Sequence, residues 1–189
     1  KMNATQARGF AELGQKLSLK MERFHCPIIA AVNGFALGGG CEMAIACDFI
    51  IASEKAVFGQ PEVTLGLITG FGGAVRLAEY VGWPLARDLI FTGRKINAAE
   101  ALSIGLATKV VAPELLMETC VGRAREILAN SPNAVKLAKH AMLEMRSEAD
   151  LAKRLEIEAK YFAKTFESFG QKEGTAAFLE RRKPSYKGE

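Results

Sequence analysis

Two hydrophobic periods alternate along the chain. Over residues 4–23, Phe10, Leu13, Leu17 and Met21 recur at spacings of three and four, which predicts an amphipathic helix. The pattern then becomes an unbroken apolar, β-branched run, Ile28-Ile29-Ala30-Ala31-Val32, the mark of a buried strand. Asn33-Gly34 breaks the run, Gly38-Gly39-Gly40 follow, and from Cys41 onward the residues (Glu42, Met43, Ala44, Ile45, Ala46) favour helix. Residues 49–52 and 56–59 predict two more short strands, and Gln60-Pro61-Glu62 a stiff corner. Helices are predicted over 74–81, 85–91 and 98–104, with 92–97 as a turn, Asn97 as N-cap, Gly105 as the closing glycine and 108–111 as a last short strand. From Pro113 the period is helical throughout. Apolar stripes run through Met117, Val121, Ala124 and Leu128, then Val135, Ala138 and Met142, then Leu151, Leu155, Ala159, Phe162 and Phe166, and a last helix covers 172–182. Such stripes are far more often core or subunit interface than ligand sites.

The stretch PIIAAVNGFALGGGCEMAIACD therefore predicts strand, glycine turn, helix. The first N–H groups of such a helix lack intrahelical partners and sit at the positive end of its dipole. They suit an oxygen that is gaining negative charge. Glycine, with no Cβ, lets a ligand approach the backbone. Glu42, on the first turn, fits either a capping role or a general base beside an oxyanion site, and this stretch alone leaves both open. The spacing is not G-x-G-x-x-G and no lysine follows the glycines, so neither a dinucleotide fold nor a Walker-type phosphate loop is indicated. A second glycine-rich loop, LGLITGFGG, precedes the helix at 74–81.

Composition narrows the classes further. The 189 residues are 49% hydrophobic and 24% charged, ordinary for a globular domain, and the net charge of +4 comes without a basic stripe interleaved with aromatics, so nucleic acid is not an expected partner. No apolar run approaches the roughly 20 residues that span a bilayer, and the polar start is unlike a secretory signal, so no membrane partner is expected either. Cys26, Cys41, Cys47 and Cys120 form no C-x-x-C pair and stand beside only two histidines, His25 and His140. That argues against a metal site and for reduced thiols in a cytoplasmic compartment.

Three long motifs, GFALGGGCEMAIACD, AVFGQPEVTLGLITGFGG and FTGRKINAAEALSIGL, together with the closing AAFLERRKPSYK, resemble the enoyl-CoA hydratase/isomerase (crotonase) family over nearly the whole chain. The resemblance implies an α/β fold: a crotonase-type ββα spiral core over residues 1–112 and a helical region over 113–189 for trimerisation and for covering the coenzyme A site. It implies a lyase of fatty-acid metabolism that reversibly adds water syn across a trans-2-enoyl-CoA. Glu42 and Glu62 match the family's two catalytic glutamates, Gly39 matches an oxyanion N–H and Gly70 a backbone N–H near the reacting water. Phe178 and Arg181 match contacts to coenzyme A, although Arg181, Arg182 and Lys183 fit a solvated basic tail equally well. Thr69 stands where many relatives carry proline, a change expected to loosen the loop. No cofactor beyond the coenzyme A of the substrate is implied, and the expected assembly is a homotrimer or a dimer of trimers. The resemblance also implies a preceding segment with an A-x-x-A-G-x-D motif and the other oxyanion donor, so that N-terminal strands of the core lie outside this sequence. The competing readings are a double-bond isomerase or other acyl-CoA lyase on the same fold, or a truncated, non-catalytic assembly module.

Overall fold

A computed structural model describes residues 2–187, in two compact units. The first runs to Glu22 and resumes over Ile28–Val121; the second joins Arg23–Pro27 to the chain from Gly122 onward.

The first unit begins with helix α1 (Ala4–Glu22), followed by strands β1 (Ile29–Val32) and β2 (Phe35–Leu37), helix α2 (Gly39–Ala44), and strands β3 (Phe49–Ser53) and β4 (Val57–Gly59). A 3-10 turn (Pro61–Leu65) leads to α3 (Gly73–Val81), α4 (Trp83–Thr92), β5 (Lys95–Asn97), α5 (Ala98–Ser103) and β6 (Lys109–Val111). The strands form two three-stranded sheets. One is all parallel in the order β1-β3-β6, with Ile29 opposite Phe49 and Ile51 opposite Lys109. The other has β2 parallel to β4, with Phe35 opposite Val57, and β4 antiparallel to β5, with Phe58 opposite Ile96. Ile45, Ile50, Phe58, Leu77, Leu89, Ile96 and Leu106 are buried in one core cluster, which removes the apolar faces of both sheets and of α2 to α5 from water.

Most elements fall where the periodicity puts them, and the departures have local causes. The segment 92–97, expected to be a turn, ends in β5. Its single buried residue, Ile96, needs only three residues to pair with β4, a length too short for a period to emerge. The strand β2 was hidden for the same reason, between Asn33-Gly34 and the glycine triplet. Helix α4 begins at Trp83, two residues before the expected start, because Pro84 sits in the first turn, where its missing N–H breaks no helical bond. Asn97 caps α5 by accepting the N–H of Glu100 at 2.9 Å. The Glu100 side chain, instead of completing a capping box, takes a hydrogen bond from Arg94 Nη1 at 2.7 Å.

Helix α1 corrects the expectation more sharply. Its buried positions are Gly14, Ser18 and Glu22, one line at spacing four, while Phe10, Leu13 and Leu17 are exposed. The cause is Phe71: its ring occupies the space a Cβ on Gly14 would need, so the helix approaches through its small residues. Phe10 packs against that ring at a tilt of 57°, with centroids 5.1 Å apart.

The second unit is helical. Helix α6 (Leu116–Leu128) leads into it, followed by α7 (Pro132–Arg146), α8 (Leu151–Thr165) and α9 (Phe169–Leu179). Ser131, Asp150 and Ser168 cap α7, α8 and α9 with side-chain oxygens on first-turn N–H groups. On α7 the buried residues are Lys139 and Ala141. The Lys139 Nζ is drawn in by the Cys26 carbonyl, which accepts from it at 3.0 Å. Of the large residues in the expected stripes, Met117, Val121, Leu128, Met142, Leu151, Leu155, Phe162 and Phe166 are exposed in this chain.

Candidate active site

Gly38 joins β2 to α2 at φ 53°, and its N–H donates to the Gly59 carbonyl at 2.9 Å, extending the β2–β4 ladder by one residue. The positive φ is natural to glycine. A Cβ here would in addition stand 2.9 Å from Glu62 Oε1, so the same glycine makes room for a carboxyl group. Gly39 opens α2, at the helix position whose N–H has no intrahelical acceptor.

Glu42 lies on the first turn of α2 and is 2% exposed. A buried carboxylate must be paired or hydrogen-bonded. Here Oε1 accepts two backbone N–H groups, from Phe71 and from Gly73, each at 2.7 Å. Those distances are at the short end for charge-assisted bonds. The second glycine loop thus wraps the Glu42 carboxylate. Gly73 is confined by the same arrangement: a Cβ on it would lie 2.8 Å from Gln60 Nε2 and 2.9 Å from Glu42 Oε1.

Glu62 follows Pro61 in the 3-10 turn and is half-buried. Burial pushes its carboxyl above the usual range; a backbone hydrogen bond pulls it part of the way back, and the nearby charge of Glu42 adds a lesser upward push. Among the described residues, the buried side-chain atoms without a hydrogen-bond partner are Glu62 Oε2 and both polar atoms of Gln60. Orphaned buried polar groups call for a water or a ligand group. Gln60 Nε2 borders Gly73 together with Glu42, and Glu62 feels the charge of Glu42, so these orphaned groups mark a place where a polar molecule belongs. Cys41, also on α2, is fully buried, and burial pushes its thiol up to about 12. At neutral pH it is no nucleophile.

Gly70 sits in the loop before Phe71, with its carbonyl accepting from Gln15 Nε2 at 2.9 Å. Thr69, expected to loosen this loop, ties it down: its hydroxyl oxygen accepts the Ala74 N–H at 3.2 Å, within the first turn of α3. Glu42, Glu62, Gly39 and Gly70 therefore all belong to the first unit and cluster around the two glycine turns. Phe178 and Arg181 belong to the second unit. Phe178 is 82% exposed near the end of α9. Arg181 ends that helix in the left-handed conformation, φ 55°, with its N–H on the Phe178 carbonyl and the Arg182 N–H on the Ala177 carbonyl. This is a Schellman closure, with arginine where glycine is usual. Arg182 is engaged in ion pairs with Glu173 at 2.6 Å and Glu180 at 2.6 Å, and it holds the Glu173 carboxyl down to about 2. Gln60, Phe71 and Gly73 were not singled out from the sequence. For Gln60 a signal existed, since it continues the inward alternation of Phe58 along β4.

The profile of the enoyl-CoA hydratase/isomerase family matches residues 1–189. This chain belongs to that family. Among curated relatives, the short-chain-enoyl-CoA hydratase of Clostridium acetobutylicum is 48% identical over 182 residues, 96% of this chain and 69% of the relative. The crotonyl-CoA hydratase of Syntrophomonas wolfei is 48% identical over 185 residues, 98% of this chain and 71% of the relative. The crystal structure of an enoyl-CoA hydratase from Bacillus anthracis superposes with a TM-score of 0.95 at 41% identity, covering 100% of this chain and 72% of that one. The two three-stranded sheets and the helical C-terminal region are therefore the crotonase fold of the enoyl-CoA hydratase/isomerase family. Enoyl-CoA hydration, the activity implied by the sequence resemblance, is the reaction these likenesses support. Among the described residues, no group of three or more His, Cys, Asp or Glu side chains could hold a metal ion, and no helix is long and apolar enough to cross a membrane.

Proposed function

We propose that this chain adds water reversibly and syn across a trans-2-enoyl-CoA, with Glu42 and Glu62 as the acid–base pair. The carrying observation is the asymmetry of the two carboxyls. Glu42 is gripped by two N–H donors at 2.7 Å, whereas Glu62 is pushed toward its protonated form by burial and by the charge of Glu42. Two neighbouring carboxyls that differ in this way suit one base and one acid. Glu42 takes a proton from water as the water oxygen bonds to C3. The electron pair of the double bond moves onto the thioester as an enolate, and Glu62 delivers its proton to C2. Passage of the proton from Glu42 to Glu62 restores the pair. The Gly39 N–H stabilises the enolate oxygen, and the Gly70 N–H, with Gln60 close by, holds the water. The thioester is itself the electron sink, so the reaction calls for no resident metal or redox group.

Phe178 and Arg181 are proposed contacts to coenzyme A. The exposed apolar stripes of the helical region 113–189 fit subunit contacts in a homotrimer or a dimer of trimers, and the site of action is the cytoplasm. The test is turnover of crotonyl-CoA, followed as loss of the enoyl absorbance. Hydration is expected; a protein that leaves crotonyl-CoA untouched but moves the double bond of a 3-enoyl-CoA would sink the hydratase reading.

Gly73→Ala provides a separate check. Alanine suits the first position of α3, yet its Cβ must displace the Glu42 carboxylate or the Gln60 amide. The rate should fall roughly 100-fold, the scale of a small misplacement of a reacting group. The melting temperature should fall as well, because displacing the buried carboxylate weakens the two N–H bonds that hold it. An unaltered kcat in a folded variant would mean that Glu42 is not held where the reaction needs it.

A further inference from the structure

Arg76 and Glu22 form an ion pair that is almost wholly withdrawn from water, with side chains 8% and 9% exposed. Arg76 Nε and Nη2 reach the two Glu22 oxygens at 3.4 and 3.2 Å. Buried pairs of this kind are weak sources of stability, because desolvation offsets their attraction. Their value lies in geometry, and here the geometry leads to the glycine loop. Arg76 Nη1 donates to the Phe71 carbonyl at 3.1 Å and to Ser18 Oγ at 3.2 Å. Ser18 Oγ donates to the same Phe71 carbonyl at 2.9 Å. Gln15 Nε2 donates to the Gly70 carbonyl at 2.9 Å, and the Gly72 carbonyl accepts the Arg76 backbone N–H at 3.1 Å. The guanidinium passes so close to Gly72 that a Cβ there would collide with Nη1.

The carbonyls of the loop are thus held from α1 and α3, while its N–H groups at Phe71 and Gly73 point the other way, onto Glu42 Oε1. The Gly70–Phe71 peptide receives a hydrogen bond at its carbonyl and donates one at its N–H, so each polarises the other. We propose that Arg76, Glu22, Ser18 and Gln15 form a positioning clamp that keeps the two N–H donors of the glycine loop on the Glu42 carboxylate. The clamp acts through Glu42 and touches no substrate. It rests on the reading of Glu42 as the base that activates water.

The test is a double-mutant cycle on crotonyl-CoA hydration, with kcat and KM measured for wild type, Arg76→Met, Arg76→Lys, Gln15→Met, Glu42→Gln and the pairings of Arg76→Met and Gln15→Met with Glu42→Gln. Arg76→Met should lower kcat about 10- to 100-fold, the scale of a misplaced reacting group, with KM within about threefold. Arg76→Lys, which keeps the charge but not the fork, should recover part of the loss. In the Glu42→Gln background the Arg76→Met penalty should shrink to about twofold, because groups that act as a unit are not additive. A purely structural role predicts instead that the full penalty carries over into that background, and this result overturns the clamp. If Arg76→Met does not fold, Gln15→Met decides by the same coupling, because Gln15 is exposed and its loss opens no core. Full activity in Glu42→Gln alone would identify the failure as that of the base assignment, and the clamp with it.

Discussion

Glu42→Gln should lower hydration of crotonyl-CoA roughly a thousand- to ten-thousandfold, at or near the upper range for loss of a single general base. Glutamine is the right probe because it preserves shape. Its amide oxygen can still accept the Phe71 and Gly73 N–H groups that Glu42 Oε1 accepts at 2.7 Å, so the loop need not move. What disappears is the capacity to take a proton from water. The loss should therefore lie in kcat, with KM nearly unchanged, because the interaction is realised only as the proton moves. Circular dichroism and the melting temperature should match wild type. The same variant removes a buried charge, so a modest gain in melting temperature is consistent with the reading, and a large drop is not. A folded Glu42→Gln protein within tenfold of the wild-type rate would reassign the base.

The β1 run and the glycine-to-helix step at Glu42 were legible because they depend on local chemistry, whereas β2 between them was too short to show. A β-branched run, a glycine at positive φ and a row of helix formers each announce themselves within a few residues. The Glu62 corner was legible for the same reason, since Pro61 stiffens it. What sequence could not show was the far side of the site. The partners of Glu42 are backbone N–H groups of Phe71 and Gly73, about thirty residues away, and a backbone donor leaves no residue type to recognise. Helix α1 misled in an instructive way. Its apolar stripe was plain, yet the face it buries is Gly14, Ser18 and Glu22, chosen by the Phe71 ring and by Arg76 and not by hydrophobicity. The exposed stripe through Phe10, Leu13 and Leu17 remains apolar surface in this chain. Periodicity reports which side of a helix is apolar; what that side meets is set elsewhere.

Glu62→Gln should lower hydration roughly a hundred- to a thousandfold, and its pH behaviour separates its role from that of Glu42. In the proposed mechanism Glu62 acts as the protonated form. Its folded-state pKa is raised, first by burial and then by Glu42, so activity in the wild type should fall as the pH rises through that raised value. The residual activity of Glu62→Gln should lack that alkaline fall, since no acid remains there to titrate. Stability gives an independent reading of the same shift. A carboxyl whose folded pKa lies above its unfolded one binds more protons in the folded state. Its contribution is fully present below the unfolded pKa and is lost as the pH rises through the folded pKa. From the unfolded pKa upward the wild type therefore loses stability as the pH rises, because the folded chain holds a proton on Glu62 that the unfolded chain releases, and Oε2 has no partner among the described residues to favour the charged form. Glutamine does not titrate, so Glu62→Gln should melt at a higher temperature than wild type at pH 7 and lose the advantage at about pH 4. Slower turnover combined with greater stability at neutral pH is the signature of a group strained for function. Thermal melts at the two pH values, set beside the pH–rate profiles, decide it: a variant that is slower and also less stable at pH 7 would make Glu62 a structural turn residue, with its proton-donor role withdrawn.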